Sequence, residues 1–234
     1  MSVTEYFIDS AAALDLQLAE AVAFRLRQAV AQRGRAVLAV SVPEQASGWL
    51  GCLARMRLDW TSVQVCLTDE CWVPRGSTHS REGRLRRALA VGDAIEARVL
   101  GLHADESRPM AAIASLCARW QGWPRPFDAL VLEVGAMGEV AALFADMPGL
   151  GAMLDPTWKL PMATSTAPGP APTERISLTL RGLREAREAF LLVRDAPARE
   201  AYEAAGHQAH AAAWPLTALL RHLEAPVQVL MIDP

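Results

Sequence analysis

Short apolar runs alternate along this chain with amphipathic helical segments, and this alternation constrains the fold more than any other feature. Residues 9–33 carry apolar side chains at helical spacing and are followed by Gly34, a typical helix C-cap. The apolar runs predicted to be strands are residues 35–42, 63–67, 97–100, 129–134, 175–180, 189–194 and 227–232. Strands that alternate with helices predict an α/β fold with a mostly parallel, Rossmann-like central sheet and helices on both faces.

The remaining segments complete this organisation as a single α/β domain over residues 1–234. Further helices are predicted over residues 44–56, after Ser80 as an N-cap, and over residues 107–120. Residues 164–173 combine prolines with Ala, Ser and Thr, which predicts an extended loop rather than a domain linker.

The composition excludes several classes of protein. A hydrophobic content of 52% excludes a disordered chain, and the formal net charge of -3 gives no general attraction to nucleic acid or to an anionic membrane. The sequence shows neither a signal peptide nor an apolar stretch long enough to span a bilayer. The cysteines lack the paired spacing of a metal site, so we expect reduced thiols, no bound metal and a cytoplasmic protein.

The segment of residues 128–146 holds the strongest indication of a ligand site. An apolar run is interrupted by Gly135 and Gly138 and is followed by Glu139 and a helix-like apolar pattern. This order predicts a buried strand, a turn and the start of a helix. Ligands of α/β proteins bind at such places, because strand ends and helix N-terminal amides converge there.

Several motifs, in order along nearly the whole chain, resemble the 6-phosphogluconolactonase family, whose fold the glucosamine-6-phosphate deaminases share. Residues 128–144 resemble the family's D-L-V-L-L-G-M-G-E-D-G-H-T-A-S-L-F, and residues 68–74 (TDECWVP) resemble its D-E-R-W-V-P. Other matching segments are residues 79–83 (HSREG), 175–180 (RISLTL) and 214–220 (WPLTALL). The resemblance implies a hydrolase that opens 6-phosphogluconolactone in the pentose phosphate pathway without a metal or organic cofactor.

The resemblance also assigns a catalytic residue. Glu139 stands at the position of the family's catalytic histidine, so it is the predicted base that activates water. The alternative is that Glu139 satisfies the free amides of the predicted helix start, a common role for a carboxylate there. Residues 41–44 (SVPE) match the family's phosphate loop, but only Ser41 is kept and Glu44 adds a negative charge.

The predicted substrate-binding residues come from the same resemblance. They are Ser41, Asp69, Glu70, Arg81, Gly135, Gly138, Arg175 and Arg199. Cys71 replaces the arginine of the family's D-E-R motif, whereas Arg81 adds a positive charge where the family has asparagine. Arg81 is therefore a candidate for a relocated phosphate contact, and Arg199 lies one position from the family's lysine. Cys71 is interpreted as a structural thiol because no histidine lies beside it in the sequence.

Several of these residues also have a structural interpretation. Asp69 can cap its own loop, Arg81 can lie on a solvated helix face, and Arg175 can pair with a carboxylate at the edge of the sheet. His207 and His210 lie three residues apart on a predicted helix. With no third ligand in view, these two histidines are interpreted as surface residues.

Three functions remain open at the level of the sequence. The first is 6-phosphogluconolactonase activity with Glu139 as the base, acting on a sugar phosphate lactone as a monomer or homodimer. The second is a catalytically inactive family member that binds a ligand or regulates a partner. The third is an enzyme that acts on a different lactone or sugar, for example an unphosphorylated one, because the altered positions include those that hold phosphate in the family.

Overall fold

The computed structural model describes residues 2–43, 48–207 and 215–233. Glu44, His210 and Trp214 lie outside the described residues, as does the side chain of His207. The strands are β1 Val3–Ile8, β2 Ala36–Val40, β3 Val63–Leu67, β4 Asp69–Cys71, β5 Arg98–Leu100, β6 Ala129–Glu133, β7 Met162–Thr166, β8 Glu174–Leu178, β9 Ala189–Val193 and β10 Val227–Ile232. The α-helices are α1 Ala11–Arg33, α2 Gly48–Ala54, α3 Arg81–Leu89, α4 Pro109–Gln121, α5 Leu150–Met153, α6 Leu180–Leu183, α7 Ala196–His207 and α8 Pro215–His222.

The main sheet is parallel and has seven strands in the order β1-β10-β9-β6-β2-β3-β5. Every residue of β2 and of β9 is buried. Because successive side chains of a strand point to opposite faces, both faces of the sheet must be covered. This confirms the predicted α/β fold, in which helices cover both faces of a mostly parallel central sheet.

Local signals in the sequence place the helix ends well. The long N-terminal helix is α1, which ends at Gly34 with a left-handed φ of 68°. Ser80 caps α3 as predicted, because its hydroxyl oxygen accepts a hydrogen bond of 3.0 Å from the Gly83 amide. No helix within the described ranges is long and apolar enough to cross a membrane.

Two predicted segments differ from the structure. The described chain does not enter a helix at Glu139, so that prediction is wrong. Gly138 and Ala141 have left-handed φ angles of 72° and 53°, and an isolated antiparallel bridge closes the segment into a turn. Left-handed residues interrupt a right-handed helix, so the apolar side chains pack from a turn instead. The extended loop predicted at residues 164–173 is wrong in its first part, which belongs to β7.

A second, antiparallel sheet contains three strands in the order β4-β8-β7. β4 follows β3 after the single residue Thr68, whose carbonyl oxygen accepts a hydrogen bond of 2.8 Å from the Leu178 amide. In the register of β4 and β8, Cys71 lies opposite Arg175. The small sheet therefore starts at the carboxyl end of β3 and brings side chains of β8 to the edge of the main sheet.

The connections of the main sheet change direction between β2 and β6. From β2 the chain continues to β3 and β5 on one side, whereas β6, β9 and β10 follow on the other side. The carboxyl ends of β2 and β6 therefore border a crevice, which is the usual ligand site of an open α/β sheet. Ser41 follows β2 and Glu133 ends β6 at this crevice.

Candidate functional site

Glu70 organises the start of α3 beside the crevice. Its Oε1 accepts hydrogen bonds of 2.7 Å from the amides of Cys71 and Arg81, and its Oε2 accepts one of 2.7 Å from the amide of Glu82. The residue is buried, and burial raises its pKa while the amide hydrogen bonds oppose that rise. The Glu70 carboxylate thus binds the free amides of the first turn of α3 and anchors this turn to β4.

Arg81, the first residue of α3, forms a buried ion pair with Asp69. Arg81 Nε lies 2.9 Å from Asp69 Oδ2, and Arg81 Nη1 donates a hydrogen bond of 2.8 Å to the carbonyl oxygen of Val42. Asp69 is 0% exposed, and burial raises its pKa although the Arg81 guanidinium favours the charged form. The pair holds the guanidinium at the crevice, so Arg81 does not lie on a solvated helix face.

Ser41 joins the same group from the end of β2. Its Oγ lies 2.9 Å from Oγ1 of Thr68, and the Thr68 hydroxyl is 3.2 Å from Asp69 Oδ1. The Ser41 amide donates a hydrogen bond of 2.9 Å to the carbonyl oxygen of Val131 in β6. Polar contacts therefore connect Ser41 with Asp69, two residues that the sequence assigns from separate motifs.

Arg175 approaches this group from the small sheet. Its Nη1 donates hydrogen bonds to the carbonyl oxygens of Pro172 and Glu174, at 2.6 and 3.3 Å. No carboxylate pairs with Arg175 in the part of the chain that the structure describes, so the predicted pairing at the sheet edge is not seen. The positive charge of Arg175 favours the ionised form of Asp69 and so opposes the rise in its pKa that burial causes.

The glycine turn after β6 carries Glu139. The Glu139 Oε2 accepts a hydrogen bond of 2.8 Å from the Met137 amide, and the carboxylate folds over Gly135, where an added methyl group would overlap it. The amides of Gly135 and Gly138 donate to the carbonyl oxygens of Glu139 and Gly135, each at 3.0 Å. Gly135 therefore leaves room for the carboxylate, and Gly138 supplies the left-handed conformation of the turn.

A cavity of about 260 Å³ lies beside Glu139. Its lining includes Met137, Phe144, Met147, Pro168, Thr166 and Glu139 itself. A carboxylate at the wall of a mostly apolar cavity is placed to take a proton from a bound water molecule. The Ala136 amide, in the same turn, has no acceptor among the described residues. It is therefore available to a developing oxyanion.

Three charged residues at the crevice escape prediction from the sequence. Arg194, which follows β9, has its Nη2 2.6 Å from Asp15 Oδ1 and its Nε 3.8 Å from Glu133 Oε2. Burial raises the pKa of Glu133, and the Arg194 guanidinium opposes the rise. The sequence could have indicated Glu133 and Arg194, because each lies at the carboxyl end of a predicted strand, where ligands of α/β sheets bind. Asp15 lies within the regular helix α1 and gives no such signal.

Arg199 is not in contact with the ion pair of Asp69 and Arg81. Its guanidinium pairs with Glu203 at 3.1 Å and lies 5.3 Å from the centre of the Phe7 ring. It lines a cavity of about 300 Å³ near the carboxyl ends of β9 and β10, and Arg194 lines this cavity as well. The structure therefore does not bring Arg199 to the ion pair of Asp69 and Arg81, and its role in substrate binding stays a prediction.

The cysteines show no sign of reactive or metal chemistry. No three side chains of His, Cys, Asp or Glu within the described ranges are grouped as a metal site requires. All four cysteines are free, and burial raises the pKa of the Cys71 thiol. A raised pKa keeps a thiol protonated and weakly nucleophilic, in agreement with a structural role for Cys71.

Comparison with known proteins identifies the family. A family model described as glucosamine-6-phosphate isomerases/6-phosphogluconolactonase matches residues 9–227. The chain is 31% identical over 229 residues to a 6-phosphogluconolactonase of Rhizobium meliloti, with 98% of each chain covered. It is 35% identical over 176 residues to one of Pseudomonas aeruginosa, with 75% of this chain and 74% of the relative covered.

The fold gives the same result. A crystal structure of a 6-phosphogluconolactonase from Shewanella baltica matches with a TM-score of 0.89 and 27% identity, covering 99% of this chain and 97% of that chain. A 6-phosphogluconolactonase from Thermotoga maritima matches in fold with a TM-score of 0.81 at 16% identity, covering 98% of this chain and 100% of that chain. The chain therefore belongs to the glucosamine-6-phosphate isomerase/6-phosphogluconolactonase family.

Proposed function

We propose that this protein hydrolyses 6-phospho-D-glucono-1,5-lactone to 6-phosphogluconate, a step of the pentose phosphate pathway. The proposal follows the name of relatives whose alignment covers up to 98% of this chain. The observation that carries it is the position of Glu139 in the turn after β6, where its carboxylate accepts one amide hydrogen bond and lines a cavity. Hydrolysis of a lactone needs a base of this kind and a donor for the oxyanion.

In the proposed reaction, Glu139 removes a proton from a water molecule as that water attacks the carbonyl carbon of the lactone. The carbonyl oxygen gains negative charge, and the Ala136 amide donates a hydrogen bond to it. Collapse of this intermediate breaks the bond between the carbonyl carbon and the ring oxygen. The proton held by Glu139 then passes to the ring oxygen, so the products are a carboxylic acid and a hydroxyl group.

The remaining predicted residues hold the substrate in this proposal. Arg81 and Arg175 supply positive charge for the phosphate group, and Ser41 offers a hydroxyl group to the sugar. Asp69 is fully buried, so it contributes by holding the Arg81 guanidinium. Glu70 acts indirectly, because its hydrogen bonds to the first amides of α3 fix the position of Arg81.

The test is hydrolysis of freshly prepared 6-phosphogluconolactone, coupled to 6-phosphogluconate dehydrogenase and corrected for spontaneous ring opening. We expect Glu139→Ala to lower kcat by about 100-fold or more, because a general base is lost. Glu139→His should keep more activity, since an imidazole can also accept the proton. Asp146→Asn is the matched control, because it removes another carboxylate from the same cavity and should leave kcat nearly unchanged.

Two other outcomes would contradict parts of the proposal. Wild-type activity in Glu139→Ala would exclude Glu139 as the base. No turnover above background in the wild type or in any variant would support a catalytically inactive family member, and binding of the lactone and of 6-phosphogluconate should then be measured.

One observation favours a second candidate, the hydrolysis of an unphosphorylated sugar lactone. Two of the three cations near the crevice are already engaged with carboxylates, since Arg81 pairs with Asp69 and Arg194 pairs with Asp15, and Arg175 alone has no carboxylate partner among the described residues. Glu133 adds a further carboxylate. A phosphate group would have to compete with these carboxylates for the guanidinium groups, whereas a neutral sugar would not.

The two candidates differ in the substrate that the enzyme prefers. Hydrolysis of D-glucono-1,5-lactone should be measured beside that of its 6-phosphate under the same conditions. A higher kcat/KM for the phosphorylated lactone, reduced in Arg175→Gln, supports the first candidate. Equal or higher kcat/KM for the neutral lactone, with no effect of Arg175→Gln, supports the second.

A further inference from the structure

A third cavity, of about 380 Å³, lies along β5 at the outer edge of the main sheet. Four arginines from separate segments line it, namely Arg75, Arg86, Arg98 and Arg119. The acidic side chain in the lining is Glu82, so positive charge is in clear excess. An arginine-rich cavity of this kind attracts anions.

Only part of this positive charge is neutralised within the protein. Arg86 pairs with Glu82 at 2.9 Å, and Arg75 lies 3.7 Å from the same carboxylate. Arg119 donates to a backbone carbonyl oxygen at 2.9 Å, and its charge lies near the exposed Glu106. The guanidinium group of Arg98 has neither a hydrogen-bond partner nor an ion-pair partner in residues 2–43, 48–207 and 215–233.

The rest of the lining adds a neutral donor and an apolar wall. Gln64 in β3 is half-buried, and its side-chain amide makes no hydrogen bond to the described residues. Trp123 packs on Trp120 with 4.8 Å between the ring centres. The volume lies at the lower end of the range of small-molecule sites, which is roughly 300–1,000 Å³. The cavity therefore fits a small polar ligand rather than a large cofactor.

We propose that this cavity binds a small multivalent oxyanion, held by Arg98, Arg119 and the side-chain amide of Gln64. The planar guanidinium group presents paired N–H donors that match the geometry of phosphate and carboxylate oxygens. Phosphate compounds and polycarboxylates share this chemistry. The site is separate from the crevice, because it lies beyond β3 along the free edge of β5, and it does not depend on the proposed hydrolase activity.

The experiment is isothermal titration calorimetry of the full chain with pyrophosphate and, separately, with citrate. We expect saturable binding of at least one of them. Arg98→Gln should weaken it about tenfold or more, because a charge-assisted hydrogen bond is lost. Arg87→Gln is the matched control: it removes the same charge from an exposed position of α3 outside the cavity, and should change the affinity by no more than about twofold.

A further variant separates recognition by the guanidinium fork from attraction by positive charge alone. Arg98→Lys keeps the charge without the fork and should bind with intermediate affinity, while unchanged thermal unfolding shows that the variants fold. Tight binding of pyrophosphate alone identifies a phosphate ligand, and tight binding of citrate alone identifies a polycarboxylate; both support an oxyanion site.

The proposal is overturned by any of four results. These are the absence of saturable binding of both anions, equal weakening by Arg98→Gln and Arg87→Gln, binding that is lost in Arg81→Gln but kept in Arg98→Gln, and binding of an oligonucleotide without binding of either small anion. The third result would assign the anion to the crevice instead.

Discussion

Glu70 and Glu139 are both acidic residues beside the carboxyl ends of buried strands, but they differ in burial and in the number of backbone amides that they bind. Glu70 is 1% exposed and accepts three hydrogen bonds of 2.7 Å from backbone amides, two at the start of α3 and one in β4. Glu139 accepts one amide hydrogen bond of 2.8 Å and lines an open cavity. One carboxylate has its lone pairs occupied by the backbone, and the other keeps lone pairs that can accept a proton.

This contrast separates a residue that builds a site from one that can react in it. The hydrogen bonds from several buried amides favour the ionised form of Glu70 and so oppose the rise in pKa that burial causes. Glu139 has a single backbone hydrogen bond of this kind. The start of α3 is therefore a fixed support for Arg81 and Asp69, whereas the glycine turn presents the group that we propose to be catalytic.

Removing each carboxylate in turn should affect the stability of the protein very differently. Glu70→Ala leaves three buried amides without partners, and each unsatisfied donor costs roughly 1–3 kcal/mol. We expect its free energy of unfolding, measured by urea denaturation, to fall by about 4 kcal/mol. Glu139→Ala is the control and should lose less than about 1 kcal/mol, because the exposed Met137 amide can bind water instead. Equal losses in the two variants would contradict the assignment.

Breaking the ion pair of Asp69 and Arg81 should cause the next largest loss of stability. Arg81→Gln leaves the fully buried Asp69 without its guanidinium partner, which costs about 3 kcal/mol of unfolding free energy. The double variant Arg81→Gln/Asp69→Asn should regain a large part of that loss, because no buried charge remains unpaired. A double-mutant cycle in urea measures the coupling, and additive losses would show that the two side chains do not stabilise each other.

Much of the fold follows from the sequence because local signals and the global pattern agree. The apolar runs predict every strand of the main sheet except β1, and Gly34 and Ser80 mark helix ends through their own backbone and side-chain chemistry. The motif of residues 68–74 places Asp69 directly after β3. Alternation in residues 175–180 predicts a strand but not its place in the small antiparallel sheet, because periodicity does not specify the pairing partner.

The parts that escape prediction depend on contacts between distant segments. The apolar pattern after Glu139 is compatible with a helix or a turn. The chain forms a turn in which Ala141 has a left-handed φ, and an alanine gives no sign of this conformation in the sequence. Arg199 follows the family's lysine in sequence, yet its guanidinium lies over Phe7 near the β1 edge of the sheet. Asp15 reaches Arg194 across 179 positions of sequence. No local pattern encodes such a pair.

A third acid, Glu133 at the crevice, should have the smallest effect on stability, and that effect depends on pH. Burial raises the pKa of Glu133 above its ordinary value of 4.5, against the opposing charge of Arg194. The folded protein therefore binds this proton more tightly than the unfolded chain does. As a result, Glu133 makes the free energy of unfolding decrease as the pH rises from about 4.5 through the raised value.

Glu133→Gln removes this contribution, so the stability of the variant relative to the wild type should increase with pH across that window. Urea denaturation of both proteins at a series of pH values measures the difference. Asp155→Asn provides a control of opposite sign, because hydrogen bonds from Thr157 lower the pKa of Asp155, whose stabilising effect is lost as the pH falls below 3.8. A pH-independent difference for Glu133→Gln would mean that this acid is as well solvated in the crevice as in the unfolded chain. The contrast between occupied and available carboxylates would then rest on Glu70 and Glu139 alone.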